Sequence, residues 1–152
     1  MRWTRTKRVT SLVGLAVEDG RLRASHVTRN KSGLAVAKAA AADLTLDLLH
    51  PESELVGREL RNHLDTAGIR ERQCVVALPP SWVLSQQVRV PDLPAEDVAA
   101  FLQLEAEKGF PCDPEQLLIV SSPQAAGGAN FVTQLAVRRE QLDQLAAVLK
   151  AA

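Results

Sequence analysis

The stretch CVVALPPSWVLSQQVRV, Cys74–Val90, decides how the chain is organised. Cys74 to Leu78 is a compact, Val-rich apolar run closed by Pro79-Pro80, and its shortness suits a buried central strand better than a helix. Beyond the prolines, Trp82 to Val90 alternates, with Leu84, Val88 and Val90 on one face and Ser85, Gln87 and Arg89 on the other, the pattern of a half-buried strand. Two strands of different character, separated by a proline pair, place an inner boundary near Pro80. Residues 1–80 and 81–152 are therefore expected to form separate parts.

On the N-terminal side, Val56, Leu60, Leu64 and Ala67 recur at helical spacing between Glu52 and Ala67, with acids in the first turn and Gly68 placed to cap the end. This predicts a helix packed on a sheet. Further back, the apolar run Ser11 to Val17 stops at Glu18-Asp19-Gly20, and Asp-Gly is a strong turn signal. Arg21 to Thr28 reads as the second strand of that hairpin, and Asn30-Lys31-Ser32-Gly33 as a turn before a third at Leu34 to Ala37. Lys38 to Pro51, rich in Ala and Leu without a clear period, reads as a partly ordered connection.

On the C-terminal side, Pro94 sits at a first helical position with Glu96 and Asp97 behind it, and Val98, Phe101 and Leu102 form a stripe that runs to Gly109. Leu117 to Ser121 and Phe131 to Val137 read as strands, joined by a loop from Pro123 to Asn130 with Gly127-Gly128 as a flexible hairpin tip. Leu142, Leu145, Ala146 and Leu149 give a closing helix. The second part is thus β-α-β-β-α, and the chain as a whole is α+β.

Composition excludes several functions. The 152 residues are 46% hydrophobic, with 18 Lys plus Arg against 18 Asp plus Glu, so no global field exists to hold a polyanion. Aromatics are 3% and Tyr is absent, leaving little to stack bases on. Nucleic-acid binding is not expected. Cys74 and Cys112 are too far apart in sequence for a CxxC redox pair or zinc knuckle and are expected to be reduced. Met1 to Arg8 carries Arg2, Arg5, Lys7 and Arg8 with Trp3, but the apolar run behind it is too short for a signal peptide and it reads as a solvated start. No stretch approaches the ~18–20 apolar residues of a membrane span, so any membrane association must come through a partner or that arm.

No chemical motif is complete. Gly127-Gly128 lacks the preceding strand and following helix of a phosphate loop. His26, His50 and His63 have no second ligand at metal-binding spacing, and Glu59 with His63 reads as a solvated helix face. Ser81 and Ser85 lack nucleophile-elbow glycines, and Cys112 has no assignable base. Glu105 and Glu107, two apart on a helix, diverge and cannot form an acid/base dyad. Glu105 alone points to the core edge, where it needs a donor, a backbone N–H or an arginine such as Arg89. No catalytic, cofactor or metal residue is assigned.

The string Leu104-Glu105-Ala106-Glu107-Lys108-Gly109-Phe110-Pro111, preceded by Val88-Arg89-Val90-Pro91, resembles the family of the type IV pilus assembly protein PilM and its actin-like relatives of the FtsA and GspL type. The likeness extends to Val75-Val76-Ala77-Leu78-Pro79, to Val13-Gly14-Leu15 as a first strand, and to Leu135 to Glu140 leading a terminal helix. It implies a partial actin-like, ribonuclease H-type lobe (1A, residues 1–80) carrying a β-α-β-β-α subdomain (1C, residues 81–152).

Nucleotide-binding members of that family end the first strand in Asp-Ile-Gly and a hydroxyl, whereas this chain has Ala16-Val17-Glu18. A carboxylate where the terminal phosphates would lie is expected to oppose binding by several kcal/mol in a partly desolvated site. The family's second actin lobe has no counterpart here, so the chain is expected to be a piece of a longer protein or a natural remnant. The resemblance implies a non-catalytic, degenerate-ATPase scaffold in the cytoplasm, peripheral to the inner membrane through partners. It would bind the short apolar cytoplasmic tail of a PilN-like pilus or secretion protein in a groove between 1A and 1C, with an assembly ATPase as a further partner. Positions matching that groove are Val88, Arg89, Val90, Phe110 and Pro111. The rival expectation is a fragment of an actin-fold ATP-binding protein or kinase.

Overall fold

The structure, a computed structural model, describes residues 10–126 and 129–152. The basic arm of Met1 to Arg8 and the Gly127-Gly128 tip lie outside the described residues. The fold is a mixed α/β arrangement with two sheets and three helices, and the chain divides into two compact units, Met1–Pro79 with Ala147–Ala152, and Pro80–Ala146. The last six residues, expected with the second part, thus group with the first.

In the first unit, β1 (Ser11–Glu18), β2 (Arg21–Asn30), β3 (Gly33–Asp43) and β4 (Cys74–Ala77) form a sheet of order β3-β2-β1-β4. Asp19 and Gly20 adopt φ of 51° and 74°, the left-handed pair that a two-residue hairpin turn requires and that Asp-Gly supplies. Strand β3 runs through Ala39–Ala42 to Asp43, where a partly ordered connection was expected. It is an outer strand open on both faces, so no alternation marks it in the sequence. Its exposed residues include Leu34 (69%) and Val36 (65%).

Strand β4 pairs parallel to β1, Val13 opposite Cys74, but it is the other outer strand rather than a central buried one, and Val75 is 62% exposed. A short Val-rich run signals parallel pairing without fixing the strand's place in the order.

Helix α1 (Ser53–Thr66) buries Val56, Gly57, Leu60 and Leu64 along one stripe, and ends where Gly68 takes φ 68°. Leu60 and Leu64 line a narrow gap with Val13, Leu15 and Leu149, so the helix covers β1 beside the end of α3 (Arg139–Ala151). A Cβ on Gly57 would stand 2.6 Å from the Val148 carbonyl oxygen and 2.7 Å from Ala151 Cβ. The two helices meet backbone to backbone there.

Glu59, expected on a solvated face, instead holds the β3–α1 loop. Its carboxylate accepts from Thr45 N–H at 2.7 Å, Thr45 hydroxyl at 2.8 Å and Leu46 N–H at 3.3 Å, with His63 Nε2 at 3.8 Å. Burial pushes its pKa up, but these hydrogen bonds and His63 outweigh it and hold the group below its ordinary 4.5.

The second unit contains β5 (Leu84–Arg89), α2 (Ala95–Gly109), β6 (Leu117–Ala126), β7 (Ala129–Arg138) and the first two turns of α3, with sheet order β5-β7-β6, all antiparallel. Pairing between β6 and β7 extends to Ala126 opposite Ala129, so residues expected in a loop from Pro123 are mostly strand. Pro123 is tolerated because β6 is an outer strand. Pro94 is the cap preceding α2 rather than its first residue. On α3 the buried residues are Leu145 and Val148, whereas Ala146, expected in the stripe, is exposed.

Replacing Gly57 by Ala gains up to about 1 kcal/mol of helix propensity but forces an overpacking cost of about 1–3 kcal/mol against backbone that cannot yield. The expected net loss, about 1–2 kcal/mol, is read from the urea midpoint. For Glu59, whose pKa is depressed on folding, the stabilisation is complete above the unfolded value and fades as pH falls through the lower folded one. Wild-type stability should therefore drop more steeply than that of Glu59→Gln below about pH 4.5, as followed by denaturation at stepped pH.

Candidate functional site

The residues singled out by sequence lie in the second unit, around the end of α2. Ala106 and Phe110 are buried against Leu117 and Ala136, with Leu84, Cys112 and Ile119 packed around them. Helix and sheet are joined by two amides. Gln134 of β7, 1% exposed, is buried; its Nε2 donates to the Leu102 carbonyl at 2.9 Å and its Oε1 accepts from Gln86 Nε2 at 2.6 Å. Gln86 also donates to the Glu105 carbonyl at 3.2 Å.

A Cβ on Gly109 would meet the Gln86 amide, the far end of a flexible side chain that would have to shift from its place beside Gln134 and the Glu105 carbonyl. The run Glu105-Ala106 to Gly109-Phe110 is thereby explained as packing: small residues where the sheet's amides approach, an aromatic where the core closes.

Of the five expected partner-binding residues, Val88 is buried opposite Val132, and Phe110 is buried in the cluster just described. Arg89 and Pro111 are exposed and Val90 half-buried. The Val90 N–H donates to the Asn130 carbonyl at 2.8 Å. Gln86, two residues before Val88, is the β5 side chain that reaches the end of α2; it lies in phase with Leu84 and Val88 on the inner face, a signal that the sequence reading passed over. Glu105 takes its donor from Lys108 Nζ at 3.0 Å, one turn away, and not from Arg89. A further apolar cleft of roughly 350 Å³ opens between α2 and β6, lined by Leu102, Ala106, Ile119 and the Gln134 amide. Such a surface suits an apolar side chain with one polar contact.

At the end of β1, Glu18 is exposed and stands opposite Arg21. In water, like charges at 4 Å repel by about 1 kcal/mol rather than the several expected for a desolvated site. Among the described residues, no group of three or more His, Cys, Asp or Glu is placed to hold a metal ion, and no helix is long and apolar enough to cross a membrane. Cys74 and Cys112 are both unpaired.

The opposite end of the first sheet carries an open cleft of roughly 660 Å³, lined by Ser11, His26, Lys38, Arg70, Glu71 and Arg72 among others. The Glu71 carboxylate accepts from the N–H groups of Gln73 and Arg72 at 3.0 and 2.9 Å. Together with the Ser11 hydroxyl and the nearby His26, these hold it below the usual carboxylate range against burial. Ser11 Oγ lies 2.8 Å from His26 Nε2. Lys38 Nζ donates to the Gly68 carbonyl.

No family model and no curated protein sequence matches the chain. Solved structures do. A chain of the PilM–PilN type IV pilus biogenesis complex is similar with a TM-score of 0.78 at 24% identity, over 96% of this chain and 45% of that one. The cytoplasmic domain of EpsL, an inner membrane component of the type II secretion system of Vibrio cholerae, is similar with a TM-score of 0.62 at 13% identity, over 93% and 52%. Both likenesses are of fold, and the chain spans about half the length of the solved chains it matches.

Substituting Gln134 by Leu strands Leu102 O and part of the Gln86 amide, an expected loss of about 1–3 kcal/mol. The double variant Gln86→Leu with Gln134→Leu, which removes both amides, should recover part of that loss in a denaturation cycle.

Proposed function

We propose that this chain is a non-catalytic scaffold module of a type IV pilus or type II secretion inner-membrane assembly, and that it binds the short apolar cytoplasmic tail of a PilN-like membrane protein. The observation that carries this reading is the fold likeness, over 96% of the chain, to a structure whose description pairs PilM with PilN; EpsL, the second neighbour, is described as an inner membrane component. On this reading the first unit is a partial actin-like lobe and the second its 1C-like insertion. The assembly acts at the cytoplasmic side of the inner membrane, and an assembly ATPase is a further partner.

The second unit has the means to hold a peptide. It has outer strands at β5 and β6 for main-chain pairing, the apolar cleft beside α2, and Arg89, Val90 and Pro111 reachable at the surface. Val88 and Phe110 act from beneath, by shaping that surface.

A labelled peptide copied from the cytoplasmic tail of a PilN-like protein should bind in fluorescence anisotropy, and Arg89→Glu should weaken it about tenfold with no change in fold. Phe110→Ala should instead cost about 3–5 kcal/mol of stability. No binding by any such tail, alongside micromolar calorimetric binding of Mg-ATP, would favour the ATP-binding reading.

A further inference from the structure

The basic cleft at the start of β1 belongs to the first unit and is not used in the function proposed above. Arg70 and Arg72 line it from the α1–β4 connection and Lys38 from β3. Neither arginine side chain makes a hydrogen bond or ion pair among the described residues, apart from longer-range attraction to Asp65, which is itself paired with Arg61. The carboxylate in the cleft, Glu71, is already taken up by two backbone N–H groups and Ser11.

Positive charge continues along the same end of the sheet. The Arg29 N–H donates to the Thr10 carbonyl beside Ser11, and Lys31 occupies the turn that follows β2. Both side chains are exposed. The formal net charge of zero therefore conceals a strongly basic pole.

We propose that this pole docks on anionic phospholipid headgroups, with Arg70 and Arg72 gripping phosphate in the cleft and Arg29 and Lys31 meeting neighbouring headgroups. Guanidinium forks match phosphate oxygens bidentately. The spread of cations across a strand turn and a cleft exceeds what one small anion uses and fits a surface presenting many, to which each Lys or Arg adds attraction. The inference does not depend on peptide recognition by the second unit.

Sedimentation of the full chain with vesicles tests it. Binding is expected to vesicles of phosphatidylcholine containing about a third phosphatidylglycerol. It should be lost on pure phosphatidylcholine and fall steeply when salt shortens the screening length. Arg70→Glu with Arg72→Glu should weaken partitioning at least tenfold, and the milder Arg70→Gln with Arg72→Gln should do so by a smaller factor. Arg138→Glu, a single charge reversal on β7, should leave it unaltered, with circular dichroism confirming the fold of each variant.

Equal binding to neutral vesicles would overturn the proposal, as would indifference to the Arg70 and Arg72 changes. Displacement from the vesicles by low millimolar glycerol phosphate would overturn it in favour of a small-anion site. Loss of the tail-peptide interaction with vesicle binding intact would count against the scaffold reading alone.

Discussion

The second unit is built around one buried amide. Gln134 sits on the middle strand of a three-stranded sheet, where a polar side chain without partners would be destabilising. It is acceptable only because Leu102 O lies 2.9 Å away on α2 and Gln86 reaches it from the next strand. That requirement fixes the rest. The helix must approach closely, hence Ala106 and Gly109 on the near side, and Phe110 then closes the core where the helix stops. The position of the exposed residues proposed to meet a peptide follows from this arrangement.

Much of the fold was legible because periodicity and turn chemistry agreed. Asp19-Gly20 marked the first hairpin, and the stripe Val56, Leu60, Leu64 marked α1. The alternation of Leu84 and Val88 against Ser85, Gln87 and Arg89 gave β5. What escaped were features set by context. The alanine stretch of β3 lies at a sheet border with both faces wet, so pairing with β2 specifies it and no pattern does. The Val-rich β4 announced its direction but not its neighbours. The last helix buries Leu145 and Val148 and leaves Ala146 exposed, a phase that the apolar residues of the helix did not distinguish.

The site was legible only in part. The motif around Glu105 to Pro111 drew attention to the right segment, but its residues divide into buried and reachable sets that no sequence pattern separates. Gln86 was passed over and Glu59 was read as solvated, yet both hold distant segments together. Polar side chains whose partners lie far away in sequence are the hardest to interpret before a fold is known. The charged pole of the first sheet was likewise invisible, since Arg29, Lys38 and Arg70 converge only through strand pairing and a net charge of zero averages them away.

Strand β3 has one further consequence. A long border strand with Leu34 and Val36 in water offers its free main-chain groups to any other extended chain, including another copy of itself, and invites stacking at high concentration. One feature works against that. The pairing register shifts between His26 and Val27, and such an irregularity twists the border out of the flat geometry that an added strand needs.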